Sequence, residues 1–254
     1  MFLDSKVAAQ LNVLLGTRSE PHRYLLDGAW IETGCIRWPV PQRIPPPVPA
    51  LSSSLQDAVK RISQTVMADQ DWHGKGFDPK SYADQFEALL AREPQPIQQE
   101  YWASKPGIEA ASNAYLHQEK GREELLANAR AILAGQGVVA YKGELVWVSP
   151  TVSSFSSIVI APTSDHFEIL GIERTQGENR FVSTDRLTRE MREIDAQFGI
   201  DITGASTGAV AFLLKRIPAG EEATALGERL FALAPDIYEQ PREFAEGRVV
   251  LWWD

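Results

Sequence analysis

The segment that most constrains the fold is the apolar run Val249-Val250-Leu251-Trp252-Trp253, which is followed by Asp254. Successive side chains of a β-strand point to opposite faces of a sheet, so two adjacent tryptophans in a strand lie on different faces. Because neither alternate set of side chains in this run is polar, the sequence predicts a strand that is covered on both faces, not a loose tail.

Composition and charge narrow the class of protein. The chain has 254 residues, is 44% hydrophobic and carries a formal net charge of −9, so it can bury a core but lacks the basic footprint that nucleic acid or an anionic membrane requires. Its single cysteine, Cys35, permits no internal disulfide, which is typical of a reducing compartment. With neither a secretion signal nor an apolar run of ~18 residues, we expect a cytoplasmic protein with a protein partner and no nucleic-acid or membrane partner. The sequence does not predict an oligomeric state.

Residues 1–135 predict a mainly helical region that packs on the rest of the chain. Apolar residues recur at helical spacing in four segments, and an aromatic stretch broken by glycines predicts a hairpin over 24–38. The predicted helices are 5–16, 54–67, 80–92 and 122–134. The proline-rich segment 39–49 cannot form a helix or a central strand, so we expect it to be extended.

Residues 136–254 predict an α+β domain. A hairpin is expected over 138–148, and further elements follow at strands 156–161, 200–204, 209–215 and 248–253 and at helices 164–170, 184–198 and 221–233. Without the short helix, the order from 156 is β-α-β-β-α-β, which predicts a ferredoxin-like unit. Such a sheet leaves one face open, so the hairpin, the N-terminal helices or a partner must cover it.

Several stretches of this domain occur, in the same order and spacing, in a known bacterial family. They are Ile160–Ser164 with Glu168–Leu170, Thr184-Asp185, Phe198–Ala205, Pro235–Ile237 with Gln240, and Leu251–Asp254. On these residues the chain, from about residue 156 to its end, resembles domain-of-unknown-function family 4253. The segment 241–247 is shorter than is usual in that family. The resemblance supports the domain boundary but implies no reaction.

Six residues near the end of the sequence form a candidate binding set. They combine carboxylates and an amide with large aromatic rings: Asp236, Tyr238, Gln240, Trp252, Trp253 and Asp254. Carboxylates can act as general acids and bases or hold a cation, and Trp and Tyr are favoured at binding surfaces. The alternative interpretation makes Asp236 a turn former and the aromatic rings part of the core.

Two other motifs carry possible chemistry. Asp69, Asp71 and His73 form an Asp-x-Asp-x-His cluster whose ligand types suit Zn or Mn, but the sequence favours the alternative of a solvated polar loop that joins two helices. Gly204–Gly208 fits the G-x-S-x-G pattern of a nucleophile elbow, but a strand-like segment follows it and all four histidines precede Ser206. We therefore predict a tight turn there, no catalytic residues and no cofactor.

These observations favour a non-enzymatic, cytoplasmic protein-binding module, an immunity-type or regulatory partner of a more basic protein. The alternative is a metal-dependent or small-molecule enzyme with a carboxylate-lined pocket between the two halves of the chain. A third possibility is a self-associating structural protein in which Trp252 or Trp253 is exposed on an edge strand.

Overall fold

The computed structural model describes residues 2–26, 29–40, 49–69, 79–149, 152–177, 182–235, 244 and 247–253. The chain divides into two compact units: unit 1 contains Met1–Gln42 and Gly121–Asp254, and unit 2 contains Arg43–Lys120. The domain boundary at residue 135 stays a prediction, because compactness alone does not define an independently folding domain.

The helices and strands follow in chain order. They are α1 (Ser5–Leu15), β1 (Glu20–Leu26), β2 (Ala29–Pro39), α2 (Ser53–Ala68), α3 (Pro79–Leu90), α4 (Gln95–Ile132), β3 (Val139–Gly143), β4 (Val146–Ser149), β5 (Val152–Ser154), β6 (Ser157–Ala161), α5 (Glu168–Ile172), α6 (Thr184–Phe198), β7 (Ile200–Ser206), β8 (Ala209–Leu214), α7 (Glu221–Leu233) and β9 (Arg248–Trp252). Among the helices of the described residues, none is both long and apolar enough to cross a lipid bilayer.

Unit 1 is built on a mixed sheet with the strand order β1-β2-β6-β3-β7-β8-β9. Only β3 and β7 pair in parallel among these neighbours, and β4 and β5 form a separate two-stranded ribbon. The predicted α+β class is therefore confirmed, but the strand order is not that of a ferredoxin-like unit. The position between β6 and β7 is occupied by β3, and β8 lies on the far side of β7. Periodicity specifies which face a side chain occupies, not which strands pair, so the pattern alone did not reveal this insertion.

The sheet is buried on both faces at β6 and β9. In β6, Val159 and Ala161 belong to one apolar core, while Ile158 and Ile160 belong to the other. The same alternation places Leu251 in the first core and Trp252 against the second. The first core is completed by α5, α6 and α7, and the second by α1 and the end of α4. The predicted two-sided strand is confirmed, and the N-terminal helix α1 is one of the elements that cover the second face.

The local predictions were accurate where apolar spacing and end signals agreed. In α6 the Ser183 side chain accepts a hydrogen bond from the backbone N–H of Arg186, and Gly199 follows at a positive φ of 66°. By contrast, α4 begins much earlier than the predicted helix 122–134. Its first part lacks a regular apolar stripe, so the sequence pattern did not predict that part as helix. The predicted hairpin over 138–148 is wrong: β3 pairs with β6 and β7, and β4 pairs with β5.

A buried ion pair joins β3 to the end of α4. Lys142 is only 4% exposed, and its ammonium lies 2.5 Å from Oε1 of Glu123. Burial lowers the pKa of Lys142, and the Glu123 carboxylate opposes that shift. A guanidinium nitrogen of Arg248 lies 3.9 Å from the same carboxylate oxygen. The Glu123 carboxylate therefore helps to stabilise the charge of Lys142 in the interior.

We expect Glu123→Ala to lower the free energy of unfolding by about 2–3 kcal/mol, because it leaves a buried ammonium without its carboxylate. Urea denaturation at neutral pH measures the change. Glu124→Ala, at the exposed neighbouring position on the same helix, is the matched control and should change stability by less than about 0.5 kcal/mol. Equal effects of the two substitutions would contradict the assignment.

Candidate functional site

The short helix α5 stands between an open groove and a buried polar cluster. The chain turns into it through Asp165, whose side chain accepts a hydrogen bond from the backbone N–H of Phe167 at 2.9 Å. Ile169 and Leu170 are fully buried in the first core, which fixes one side of the helix. Its other side faces α6, and the residue that follows the helix is Glu173.

A groove of about 590 Å³ runs between α5 and α6. We call it the α5–α6 groove. Its apolar floor consists of Phe167, Gly171 and Ala196, and its unmatched charged residues are Glu168, Asp185 and Arg189. Its volume lies in the range of ligand-binding clefts, ~300–1,000 Å³. Asp185 lies in the first turn of α6, where the helix dipole favours a negative charge.

Two other charged residues of the groove are already matched. The guanidinium of Arg192 lies 4.4 Å from the centre of the Phe167 ring and 2.5 Å from Oδ2 of Asp165. Burial raises the pKa of Asp165, but the hydrogen bonds from Arg192 and from the Phe167 backbone outweigh it and hold this pKa below its usual value. Glu193 pairs with Arg229 at 2.5 Å. Within the described ranges, Glu168, Asp185 and Arg189 form no ion pair, so unmatched carboxylates outnumber unmatched guanidinium groups.

The buried polar cluster consists of His22 on β1, Cys35 on β2, Tyr141 on β3 and Glu173 after α5. Oε1 of Glu173 accepts a hydrogen bond from the Tyr141 hydroxyl at 2.5 Å and lies 2.8 Å from Nε2 of His22. Nδ1 of His22 is buried and has no hydrogen-bond partner in the described part of the chain. None of these four residues is more than 5% exposed. The cluster therefore ties the end of α5 to three strands of the sheet.

The pKa shifts of Tyr141 and Cys35 favour the protonated form of each residue. Burial raises the pKa of Tyr141 well above its usual value, and the neighbouring Glu173 carboxylate raises it further. Burial likewise raises the pKa of the Cys35 thiol, although the hydrogen bond with Thr33 opposes the shift. A nucleophilic cysteine needs the opposite shift and solvent access. The arrangement therefore supports a structural role.

A second histidine lies at the start of α5. His166 is half-buried, and burial lowers its pKa against the opposing charges of Asp201, Asp195 and Asp165. Its Nε2 atom is buried and has no hydrogen-bond partner among the described residues. Folding therefore shifts the equilibrium of His166 towards the neutral imidazole.

The structure describes two members of the candidate binding set. Trp253 is 4% exposed, belongs to the first core and donates its indole N–H to the carbonyl of Leu233 at 2.8 Å. Gly177 packs so closely against this indole that a Cβ atom there would lie 2.7 Å from the ring. Trp252 is half-buried against the second core. The other members, Asp236, Tyr238, Gln240 and Asp254, lie outside the described residues, so the binding role of the set stays a prediction.

The predicted metal cluster is described only at Asp69, which is the C-cap residue of α2. Asp71 and His73 lie outside the described residues. Elsewhere in the described ranges, no group of three or more His, Cys, Asp or Glu side chains is arranged to hold a metal ion. The predicted tight turn between β7 and β8 is confirmed at Thr207-Gly208, whereas Gly204–Ser206 of the G-x-S-x-G segment belong to β7.

Sequence reasoning missed both the buried cluster and the α5–α6 groove. His22 and Glu173 are 151 positions apart, and neither lies in a motif that predicts the other. The available signal was weak: polar residues in otherwise apolar or aromatic segments. The groove depends on how two helices meet, which helical periodicity does not specify.

A mixed sheet covered by helices on both faces is the architecture that carries this groove. Residues 157–254 match the family described as a domain of unknown function (DUF4253), which confirms the resemblance found in the sequence. The matched segment contains the α5–α6 groove and Glu173, whereas His22, Cys35 and Tyr141 precede it. No curated protein and no solved structure shows significant similarity to the chain.

We expect Tyr141→Phe to lower the free energy of unfolding by about 1–3 kcal/mol, because it removes a buried hydrogen bond to a carboxylate. Chemical denaturation measures the loss. The matched control is Tyr24→Phe on β1, since Tyr24 is half-buried and its ring lies under the Arg174 guanidinium. That control should lose less than about 0.5 kcal/mol. If both variants were as stable as the wild type, the cluster would not anchor α5.

The lowered pKa of His166 predicts a pH dependence. At pH values between the folded-state pKa of His166 and its unfolded-state pKa of 6.5, this residue binds more protons in the unfolded chain than in the folded protein. The contribution of His166 to the free energy of unfolding is therefore fully present above pH 6.5 and is lost as the pH falls through this window. We expect His166→Asn to lose less stability than the wild type when thermal unfolding is compared at pH 7 and pH 5. Identical losses would show that His166 does not contribute.

Proposed function

We propose that the protein is a non-enzymatic, cytoplasmic protein-binding module, an immunity-type or regulatory partner of a more basic protein, and that its α5–α6 groove receives a basic segment of that partner. The observation that carries the proposal is an open groove of about 590 Å³ with an apolar floor and more unmatched carboxylates than unmatched cations in the described part of the chain. Both properties suit a Lys or Arg side chain.

The floor and the rim of the groove would serve different parts of such a side chain. Lys and Arg bury their aliphatic stems along apolar surface and keep the charged end near water or an acid. Gly171 and Ala196 would supply the surface for the stem, and Glu168 and Asp185 would supply the acids. The unmatched Arg189 disfavours a uniformly basic segment, so a segment that also carries an acidic residue fits best.

The charge of the whole chain supports the same partner. A net charge of −9 attracts a basic protein over distances longer than a contact and raises the association rate. Such attraction is screened by salt over about 8 Å at physiological ionic strength. The complex should therefore form more slowly as salt is added.

The other functions predicted from the sequence have less support. The metal-dependent or small-molecule enzyme depends on Asp236 and Asp254, which lie outside the described residues. The self-associating protein depends on exposed tryptophans, but Trp253 is buried and its indole N–H is already bonded. Both stay predictions.

The test is capture of partners from the lysate of the native organism by an N-terminally tagged chain. A Glu168→Gln/Asp185→Asn variant is compared with Glu221→Gln/Glu228→Gln, which removes the same charge from exposed positions on α7. We expect one basic protein to be retained by the wild type and the α7 variant, and its affinity for the groove variant to fall about tenfold or more.

Titration calorimetry with the purified partner measures this difference, and thermal unfolding confirms that both variants are folded. Equal affinity for the two variants would contradict the groove as the binding surface. Capture of no basic protein would contradict the proposed function itself.

A further inference from the structure

Unit 2 contains a cavity of about 410 Å³ that the proposed function does not use. Helices α2, α3 and α4 and the preceding Leu51 form its walls. On α3, Tyr82 and Phe86 are four residues apart and therefore share one face of the helix. Tyr101 of α4 lies beside them, so three aromatic rings line the same space. We call this space the aromatic cavity.

The rings form a continuous aromatic wall. The ring centres of Tyr82 and Phe86 are 6.1 Å apart, and those of Phe86 and Tyr101 are 5.6 Å apart. Phe86 is buried, whereas Tyr82 and Tyr101 are half-buried, and all three residues line the cavity. The faces of aromatic rings carry partial negative charge and attract cations.

Among the described charged residues that line the cavity, one carboxylate forms no ion pair. The ammonium of Lys105 lies 3.2 Å from a Glu87 carboxylate oxygen and 4.8 Å from the centre of the Trp102 ring. Its charge is therefore already matched. Glu109 also lines the cavity, is exposed and forms no ion pair within the described residues.

The electrostatic effects on the pKa of Tyr101 agree with this charge balance. Burial raises the pKa of the Tyr101 hydroxyl; Lys105 lowers it, and Glu87, Glu109 and Tyr82 raise it. The net shift is upward, so this hydroxyl stays protonated and the ring stays neutral at physiological pH. Among the described lining residues, the cavity thus presents neutral rings and more carboxylates than ammonium groups.

We propose that the aromatic cavity binds a small organic cation with an apolar body, its ammonium group placed against the ring of Tyr101 and near Glu109. The volume lies within the range of small-molecule sites, ~300–1,000 Å³, and the lining combines apolar walls with a few polar groups. An anion would meet the unmatched Glu109, and a neutral molecule would gain nothing from the rings beyond apolar burial.

Calorimetric titration of the full chain with phenyltrimethylammonium tests the proposal. The comparison ligand is 2-phenyl-2-propanol, which has nearly the same shape but no charge. We expect saturable binding of the cation, about fivefold or more tighter than binding of the alcohol. Absence of saturable binding, or equal binding of the alcohol, would overturn the proposal.

Two variants locate the cation within the unit. Glu109→Gln should weaken its binding two- to fivefold, whereas Asp57→Asn, an exposed acid on α2 that does not line the cavity, should leave it unchanged. Tyr101→Leu, checked for folding by circular dichroism, should weaken binding by a similar factor because the aromatic face is lost. A Glu109→Gln variant that binds as the wild type does would exclude this cavity.

The same titration of the Glu168→Gln/Asp185→Asn variant separates this proposal from the protein-binding function. That variant should bind the cation as the wild type does, because its substitutions lie on unit 1. Loss of cation binding in the groove variant would place the cation in the α5–α6 groove and contradict the proposal.

Discussion

Burial of the central sheet on both faces is the constraint on which unit 1 depends. Every residue of β6 is buried, and its alternate side chains belong to two different cores. A sheet of this kind needs two covering layers, and the matched segment 157–254 supplies helices to the first core. The second core takes α1 and the end of α4, so the segments before residue 43 and after residue 120 form one compact unit.

The sequence predicted those parts of the fold that local patterns of apolar and capping residues specify. Local signals specified α6, with its Ser183 cap and Gly199 stop, and the strand β9 with its alternating buried side chains. Pairing partners were not encoded locally, so the insertion of β3 between β6 and β7 was missed. The cluster of His22, Tyr141 and Glu173 was missed for the same reason, since it exists only once distant strands are adjacent.

The groove and the buried cluster have complementary physical roles through α5. The core residues Ile169 and Leu170 hold one side of this short helix, and the hydrogen bonds to Glu173 hold its end. A helix of five residues has little stability of its own, so these contacts decide where it lies. A groove wall that is already ordered lowers the entropic cost of binding a partner there, as the proposed protein-binding function requires.

Unit 1 is made of two segments that are separated in the chain by unit 2, which has a consequence for synthesis on the ribosome. Ile36 of β2 pairs with Ile160 of β6, so all of unit 2 is translated before β2 can meet its partner strand. Until then, the hairpin of β1 and β2 exposes an unpaired edge, and such edges associate readily with other chains. Strand pairing between distant segments is also slow because a long loop must close first. The nascent chain therefore passes through a stage in which a chaperone that shields strand edges would raise the yield of folded protein.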